Sequence, residues 1–397
     1  MAGLVGTLLL TGCSAPDPEP DWALGDCRAI NLVDRFGQVP IRGIEDLVIN
    51  PRTGIAYLSA YDRFALDDAL EADGGGSLRR AESLPRGGIY ALDLDRVSDA
   101  VADPGPPPTL AVRELTGAFV GTVDFRPHGL DLYDTPLGRP LLAAVVHKYV
   151  PVRTRLERRS GVVLYAINDG RLDEISRIFH DDLCQANDVA IVGPRTLLVT
   201  RDHGSCRVWA ALEEILALKR SSVMRLTLTP DGGLSRAPVP VAGGIGFANG
   251  IVIDRSKRRV VVAATREKAL LVYDLERMIA GNAGRPIGRL SLDGGPDNLI
   301  MNSDNHVLAA VHPSLLSVGF YRRRWFNTTR APAKVVEVDL SEAQTRTVYH
   351  DTAGEGFPAV TVAARRQDIV LMGSVGAPGL LVCRPPETEP QAPTEGT

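Results

Sequence analysis

Short apolar runs alternate with turn signals along most of this chain, and six of the runs share one pattern. Each opens a strand of Val, Ile or Leu, passes through a turn and continues into a second apolar strand. They read "EDLVINPRTGIAYLSA" from Glu45, "HGLDLYDTPLGRPLLAAVVH" from His128, "NDVAIVGPRTLLVTRD" from Asn187, "NGIVIDRSKRRVVVAAT" from Asn249, "DNLIMNSDNHVLAAVHP" from Asp297 and "AVTVAARRQDIVLMGSV" from Ala359. Apolar runs of this length bounded by Gly, Pro, Asn and Asp are β-strands, and "NDGR" at 168–171 and "PDGG" at 230–233 punctuate them as turns. The interval between successive starts leaves room for one four-stranded sheet. Such a unit cannot bury its apolar faces alone and must stack on its neighbours. The pattern therefore predicts an all-β chain, a six-bladed β-propeller with a few short helices at the top face.

Two segments fall outside the strand pattern. "DRFALDDALEADGGGSLRRAESLPR", at 62–86, is an insertion that reads as a loop with a short helix. "SCRVWAALEEILALKRSS", at 205–222, sets Val208, Leu212, Ile215 and Leu216 on one side of a helix and Glu213, Glu214, Lys219 and Arg220 elsewhere. That helix either crosses the propeller's top or is an ordinary surface helix.

The ends set the domain limits. Residues 1–12 form an apolar run too short to span a bilayer. The order Leu10-Thr11-Gly12-Cys13 resembles a lipoprotein signal, in which the Cys13 thiol is lipidated; the alternative is an ordinary secretory leader. Either makes this an exported protein. The first predicts a bacterial lipoprotein of the periplasm or cell surface, attached peripherally to the membrane by its lipid. Residues 13–24 are a Pro-rich linker, 25–383 the folded domain, and 384–397, "RPPETEPQAPTEGT", a Pro/Glu tail expected to be disordered.

Composition then narrows the partners. A hydrophobic content of 44% supports a large core, and a formal charge of -4 offers no basic field for nucleic acid. In an oxidising compartment the four cysteines after Cys13 suggest disulfides, with three possible pairings. Cys27 and Cys383 lie near the two ends of the domain, so a bond between them would staple first strand to last. Cys184 with Cys206 is then the remaining pair.

Candidate chemistry follows from the repeat. The residues that open the repeated strand reach the mouth of a propeller's channel, and the symmetry brings Glu45, Asn187, Asn249, Asp297 and Asn298 toward one axis. Two carboxylates and three amides are hard oxygen donors, which suit calcium better than zinc or copper. The chain has no GxSxG elbow, HExxH, P-loop or EF-hand loop. "GGIGFANG" lacks the third glycine of a dinucleotide fingerprint.

The motifs "GIEDLVI", "FRPHGLDLY", "NDVAIVGP", "RDHG", "FANGIVI", "DNLIMN", "VHPS" and "VTVA" stand in the order and spacing of the paraoxonase/arylesterase family of calcium-dependent lactonases, which the chain resembles over roughly 27–383. The resemblance implies two calcium ions. A catalytic one would be held by Glu45, Asn187, Asn249, Asp297 and Asn298, and a structural one by Asp46, Asp188 and the backbone carbonyl of Leu130. It implies His128 as general base with His147 as its partner, and it places the family's terminal disulfide on Cys27 and Cys383. Asp202 and His203 match positions near the site, with Asp202 expected to orient His147. Phe247, His312 and Val375 would line the pocket. "SAYDRF" departs from the family's active-site loop.

These residues imply a hydrolase of lactones or aryl esters whose substrate is apolar, on the expectation of Phe and Val walls without a ring of charge. The rival readings are a gluconolactonase-like sugar lactonase and a calcium-stabilised binding propeller without catalysis.

Overall fold

A computed structural model describes residues 26–384, apart from 38, 73–83, 103–104, 118–123, 136–137, 153–154, 207–212, 214–215, 217 and 303–304. The signal segment, Cys13, most of the linker and nearly all of the tail lie outside the described residues, as do Val208, Leu212 and Ile215 of the helix expected at 205–222.

The described chain is dominated by strands that pair mostly with their sequence neighbours. One sheet holds β2 (Ile44–Asn50), β3 (Ile55–Ala60), β4 (Gly88–Asp93) and β5 (Thr109–Glu114), and the next holds β6 (Arg126–Tyr133), β7 (Leu141–Val152), β8 (Arg155–Asn168) and β9 (Arg171–Phe179). The third comprises β10 (Ala186–Gly193), β11 (Thr196–Arg201), β12 (Ser221–Thr227) and β13 (Val239–Ile245). The fourth comprises β14 (Ala248–Asp254), β15 (Arg259–Ala264), β16 (Ala269–Asp274) and β17 (Gly288–Ser291), and the fifth β18 (Gly295–Met301), β19 (Val307–His312), β20 (Ala333–Asp339) and β21 (Gln344–Asp351).

The last strands, β22 (Val360–Arg366), β23 (Ile369–Ser374) and β24 (Leu380–Cys383), are completed by the first, β1 (Cys27–Asp34). β1 runs antiparallel to β24 and also pairs in parallel with β5, so the end sheet and the β2–β5 sheet form one eight-stranded surface. Cys27 and Cys383 are register partners on this seam and form a disulfide. Cys184 and Cys206 form the second. The "NDGR" turn joins β8 to β9, with Asp169 and Gly170 both at positive φ, the backbone that a two-residue hairpin turn needs.

Five of the six repeat starts sit on the first strand of a sheet, and the sixth, Ala359, immediately precedes β22. Those first strands pack side by side in the order β2, β6, β10, β14, β18, β22 and back to β2. Six apolar clusters fill the junctions between successive sheets, from Val48, Ile89 and Leu142 at the first to Leu47, Leu371 and Leu380 at the last. A sheet covered on both faces needs apolar residues at consecutive positions. That is why β15 reads Arg-Val-Val-Val-Ala-Ala and is buried beyond its first residue.

Two helices flank the ring of first strands. Asp62 caps Arg63–Ala72 by accepting from the Ala65 N–H at 3.0 Å, which sets Arg63 in the first turn. Ser314 caps Leu315–Arg323 through the Ser317 N–H, and Arg324 ends it in the left-handed region at φ 51°.

Candidate active site

A regular strand alternates its side chains between faces, yet Glu45 and Asp46 are both buried. The register explains how. All six first strands shift register at the same point: between Ile44 and Asp46, Pro127 and Leu130, Ala186 and Val189, Ala248 and Ile251, Pro296 and Leu299, and Val360 and Val362. A bulge leaves an extra residue outside the ladder and re-aims its neighbours. The residues at these bulges are Glu45–Asp46, His128–Gly129, Asn187–Asp188, Asn249–Gly250 and Asp297–Asn298. The two glycines answer to close approach. A Cβ on Gly129 would lie 2.5 Å from the Asp188 Cα, and one on Gly250 would lie 2.5 Å from the Asp297 carbonyl oxygen.

The bulges deliver two layers of side chains. Glu45, His128, Asn187, Asn249 and Asp297 line a cavity of about 670 Å³, with His147, Asp202, His203, Phe247, His312 and Val375 around them. Asp46, Leu130, Asp188 and Asn298 do not line it and are buried nearby. Asp46 accepts the N–H groups of Leu47 at 2.8 Å and of Leu130, on the next sheet, at 2.6 Å. Asp188 repeats the arrangement with Val189 at 2.7 Å and Ile251 at 2.8 Å. Burial raises both carboxyls well above their ordinary range, and the charge of Asp188 raises Asp46 further.

Hydrogen bonds orient the cavity residues. Asn249 donates to Asp297 Oδ1 at 2.5 Å, His312 Nε2 sits 2.8 Å from Asp297 Oδ2, and Asn298 donates to the Glu45 carbonyl at 2.9 Å. The rings of His128 and His147 lie 5.0 Å apart. Burial, and then surrounding arginines, lower both pKa values well below the ordinary imidazole value, so both rings are neutral at pH 7.

Their tautomers follow from their partners. Arg63 donates to His128 Nδ1 at 2.8 Å, which puts that ring's proton on Nε2. Ser160 spends its single hydroxyl hydrogen on the Cys184 carbonyl at 3.1 Å, so its oxygen accepts from His147 Nδ1–H at 2.9 Å and leaves the His147 Nε2 lone pair open. Asp202 does not orient His147. It bonds its own neighbour, His203, at 2.7 Å, and the orienting group is Ser160, the register partner of His147 across the β7–β8 hairpin.

Arg63 is the departure in "SAYDRF" made concrete. It is buried, 3.0 Å from Glu45 Oε2, and is the largest charge opposing the rise that burial imposes on Glu45. Pattern reading passed over it because it belongs to the insertion and has no counterpart in the repeats. The expectation of walls without charge is corrected by the same cavity. Phe247 and Val375 do line it, with Arg63, Arg158, Arg266, Arg322, Arg323 and Arg324 beside them. Phe247 takes φ 65°, a conformation costly for a bulky residue, and packs edge-on against His203.

The cavity floor fits a hard cation. Among the described residues no three His, Cys, Asp or Glu side chains form a metal-binding group, and the donors here are mixed, two carboxylates with amides. Glu45 Oε2 and Asn187 Oδ1 are buried acceptors without a hydrogen-bond donor, and of the two only Glu45 Oε2 meets a positive charge, in its 3.0 Å ion pair with Arg63. Oxygen acceptors left bare inside a protein are costly unless something positive meets them.

Comparison with known proteins completes the description of the site. The profile of the arylesterase family matches residues 85–382. The chain is 25% identical over 340 residues to serum paraoxonase/arylesterase 1 of Mus musculus, across 84% of this chain and 83% of that protein. It is 27% identical to serum paraoxonase/arylesterase 2 of Gallus gallus over the same shares. To serum paraoxonase/lactonase 3 of Homo sapiens it is 24% identical over 345 residues, again 84% and 83%. Among solved structures, a luciferin-regenerating enzyme aligns at TM-score 0.47 and 11% identity, covering 91% of this chain and 98% of that one. The calcium-binding protein regucalcin from Agrobacterium tumefaciens aligns at 0.44 and 13%, covering 90% and 93%.

Proposed function

The chain belongs to the arylesterase family, and on that premise we propose that it hydrolyses lactones and aryl esters with calcium, on a six-bladed β-propeller. The observation that carries the reading is the meeting of Glu45, Asn187, Asn249 and Asp297 with a pair of neutral imidazoles in one cavity. Glu45, Asn187, Asn249, Asp297 and Asn298 would hold one calcium, and Asp46, Asp188 and the Leu130 carbonyl a second. The first site, when loaded, would supply a Lewis acid for the substrate carbonyl.

The protein's own part is proton handling. Neither His128 nor His147 has a protein partner at Nε2 among the described residues. The open lone pair of His147 Nε2 takes the proton from the attacking water as its oxygen bonds the carbonyl carbon, His128 Nε2–H donates toward the carbonyl oxygen as negative charge grows there, and the proton on His147 passes to the leaving oxygen as the acyl C–O bond breaks. This reading moves the general-base role expected of His128 to His147, because His128 Nδ1 is occupied by Arg63. Arg63 and Ser160 hold the two rings in these complementary tautomers.

Hydrolysis of a neutral aryl ester should vanish on chelation and return with calcium, and activity that survives chelation would overturn the calcium role. Export with a lipid on Cys13 belongs to the same proposal. Cys13→Ser should release the protein from the detergent phase into the aqueous one, and unchanged partitioning would refute the anchor.

A further inference from the structure

A small recess of about 40 Å³ adjoins the main cavity behind His147, lined by Arg63, Arg126, Arg158, Arg322, Asp67, Leu66, Tyr61 and Tyr149. Its volume is close to that of one water or one carboxylate group. Four guanidiniums around a single carboxylate is a concentration of positive charge that a folded protein does not assemble for packing alone, because like charges repel at close range.

The charges in the recess are unevenly compensated. Arg63 is spent on Glu45 and His128. Arg126 is fully buried; its Nε donates to the Pro85 carbonyl and its Nη1 pairs with Asp124, while Nη2 has no partner. Arg158 gives one N–H to the neutral amide oxygen of Gln185. Arg322 makes no hydrogen bond or ion pair among the described residues. Asp67 is the one anion present, and burial raises its pKa against the pull of Arg322 and Arg63. Arg126, which lines this carboxylate-sized space, thus keeps one buried guanidinium nitrogen without a partner, a vacant half of a fork.

We propose that this recess binds a carboxylate of the substrate, so that the preferred ester or lactone is anionic. The inference rests on the ester-hydrolase reading of the adjoining cavity. His147 lines both spaces, which places a carboxylate held by Arg126, Arg158 and Arg322 on the same molecule as the bond to be cleaved. The apolar stem between the two would lie against Leu315 and Val318, which line the main cavity. The arginines come from four elements. Arg63 begins a helix, Arg126 begins β6, Arg158 lies on β8 opposite Tyr149, and Arg322 is in the last turn of Leu315–Arg323.

The test compares 4-nitrophenyl hemiglutarate with 4-nitrophenyl valerate, in calcium, for the wild type and for Arg322→Gln and Arg322→Lys. Arg322 is exposed, so neither change threatens folding. The charged ester should have a kcat/KM about tenfold higher in the wild type. Arg322→Gln should lower that ratio by about the same factor, mainly through KM, and Arg322→Lys should restore part of it. A ratio near one in the wild type, or one that Arg322→Gln leaves unchanged, overturns the anionic substrate and leaves the hydrolase reading intact. If neither ester is hydrolysed, the hydrolase reading falls and calorimetry with glutarate decides the recess. Binding that weakens in Arg322→Gln supports it, and no binding to the wild type overturns it.

Discussion

One methyl group at Gly129 should test whether the bulges set the active site. Gly129 lies between His128 and Leu130, and an added Cβ would meet Asp188 Oδ1 at 2.2 Å, Asp188 Cα at 2.5 Å and the Asn187 carbonyl oxygen at 2.8 Å. Two of the three are backbone atoms that cannot rotate away. Carbon atoms rest at roughly 3.5 to 4.0 Å, so β6 and β10 would have to part by about 1 Å. Overpacking of this kind costs about 1–3 kcal/mol. The catalytic cost should be larger in proportion, because His128 is on one side of the wedge and Asn187 on the other, and a displacement of about 1 Å can reduce rate by roughly 100-fold. Gly129→Ala should therefore remain folded, melt a few degrees lower and lose about two orders of magnitude in kcat/KM toward phenyl acetate. Gly193→Ala is the control, since a Cβ there meets nothing within 4 Å. Wild-type kinetics in Gly129→Ala would mean that close contact between the first strands does not position the site.

Three further outcomes follow from the same geometry. Glu45→Gln should damage activity more than thermal stability and Asp46→Asn the reverse, because only Glu45 faces the cavity while Asp46 ties two sheets together; equal losses in melting temperature and rate would contradict that division. Replacing Cys27 and Cys383 by serine opens a closure between residues 356 apart and should cost on the order of 5 kcal/mol in urea unfolding, whereas an unchanged midpoint would show that the β1–β24 pairing alone closes the ring. Because burial lowers both histidine pKa values, the neutral, active form persists below the ordinary value of about 6.5. The acid limb of kcat/KM should fall as pH drops through a lower midpoint, and Ser160→Ala should reduce the plateau by about 2- to 10-fold; a midpoint above 7 would refute the neutral pair.

Much of the site was legible because the repeat phase is also a geometric phase. Glu45, His128, Asn187, Asn249 and Asp297 open their repeats, and a residue at one position of one strand per sheet reaches the same height in a closed ring. The cysteine pairing was legible for a similar reason, since the ends of the domain meet in one sheet. What escaped lies where the repeat is broken. Arg63 comes from the insertion. Ser160 and Arg158 lie on β8, in a hairpin longer than its counterparts, and their relation to His147 and Tyr149 depends on its register. Arg322 lies in the last turn of a helix inserted between β19 and β20. Each is an ordinary polar residue in sequence, and only the third dimension brings it to the histidines. Asp202 lines the cavity as expected, but its expected link to His147 fails for the converse reason. Its motif matches a position near the site, but its nearest base is the residue beside it in the chain.

The adjacent acids at 45 and 46 show why a repeat with a defect can do more than a perfect one. With regular alternation one carboxylate of the pair would face the junction between sheets, unpaired among apolar side chains, at a cost of several kcal/mol. The bulge removes that conflict and gives each acid its own surroundings. Glu45 faces the cavity beside Arg63, and Asp46 receives two backbone N–H groups from two sheets. The same bulge on β10 divides Asn187 from Asp188. A ring built this way stacks a functional layer on a layer that holds the sheets together, and the coupling is short. Asp188 bonds β14 while its own Cα is the surface against which Gly129, and hence His128, is seated. Loss of the lower layer must then reach the histidine through one glycine.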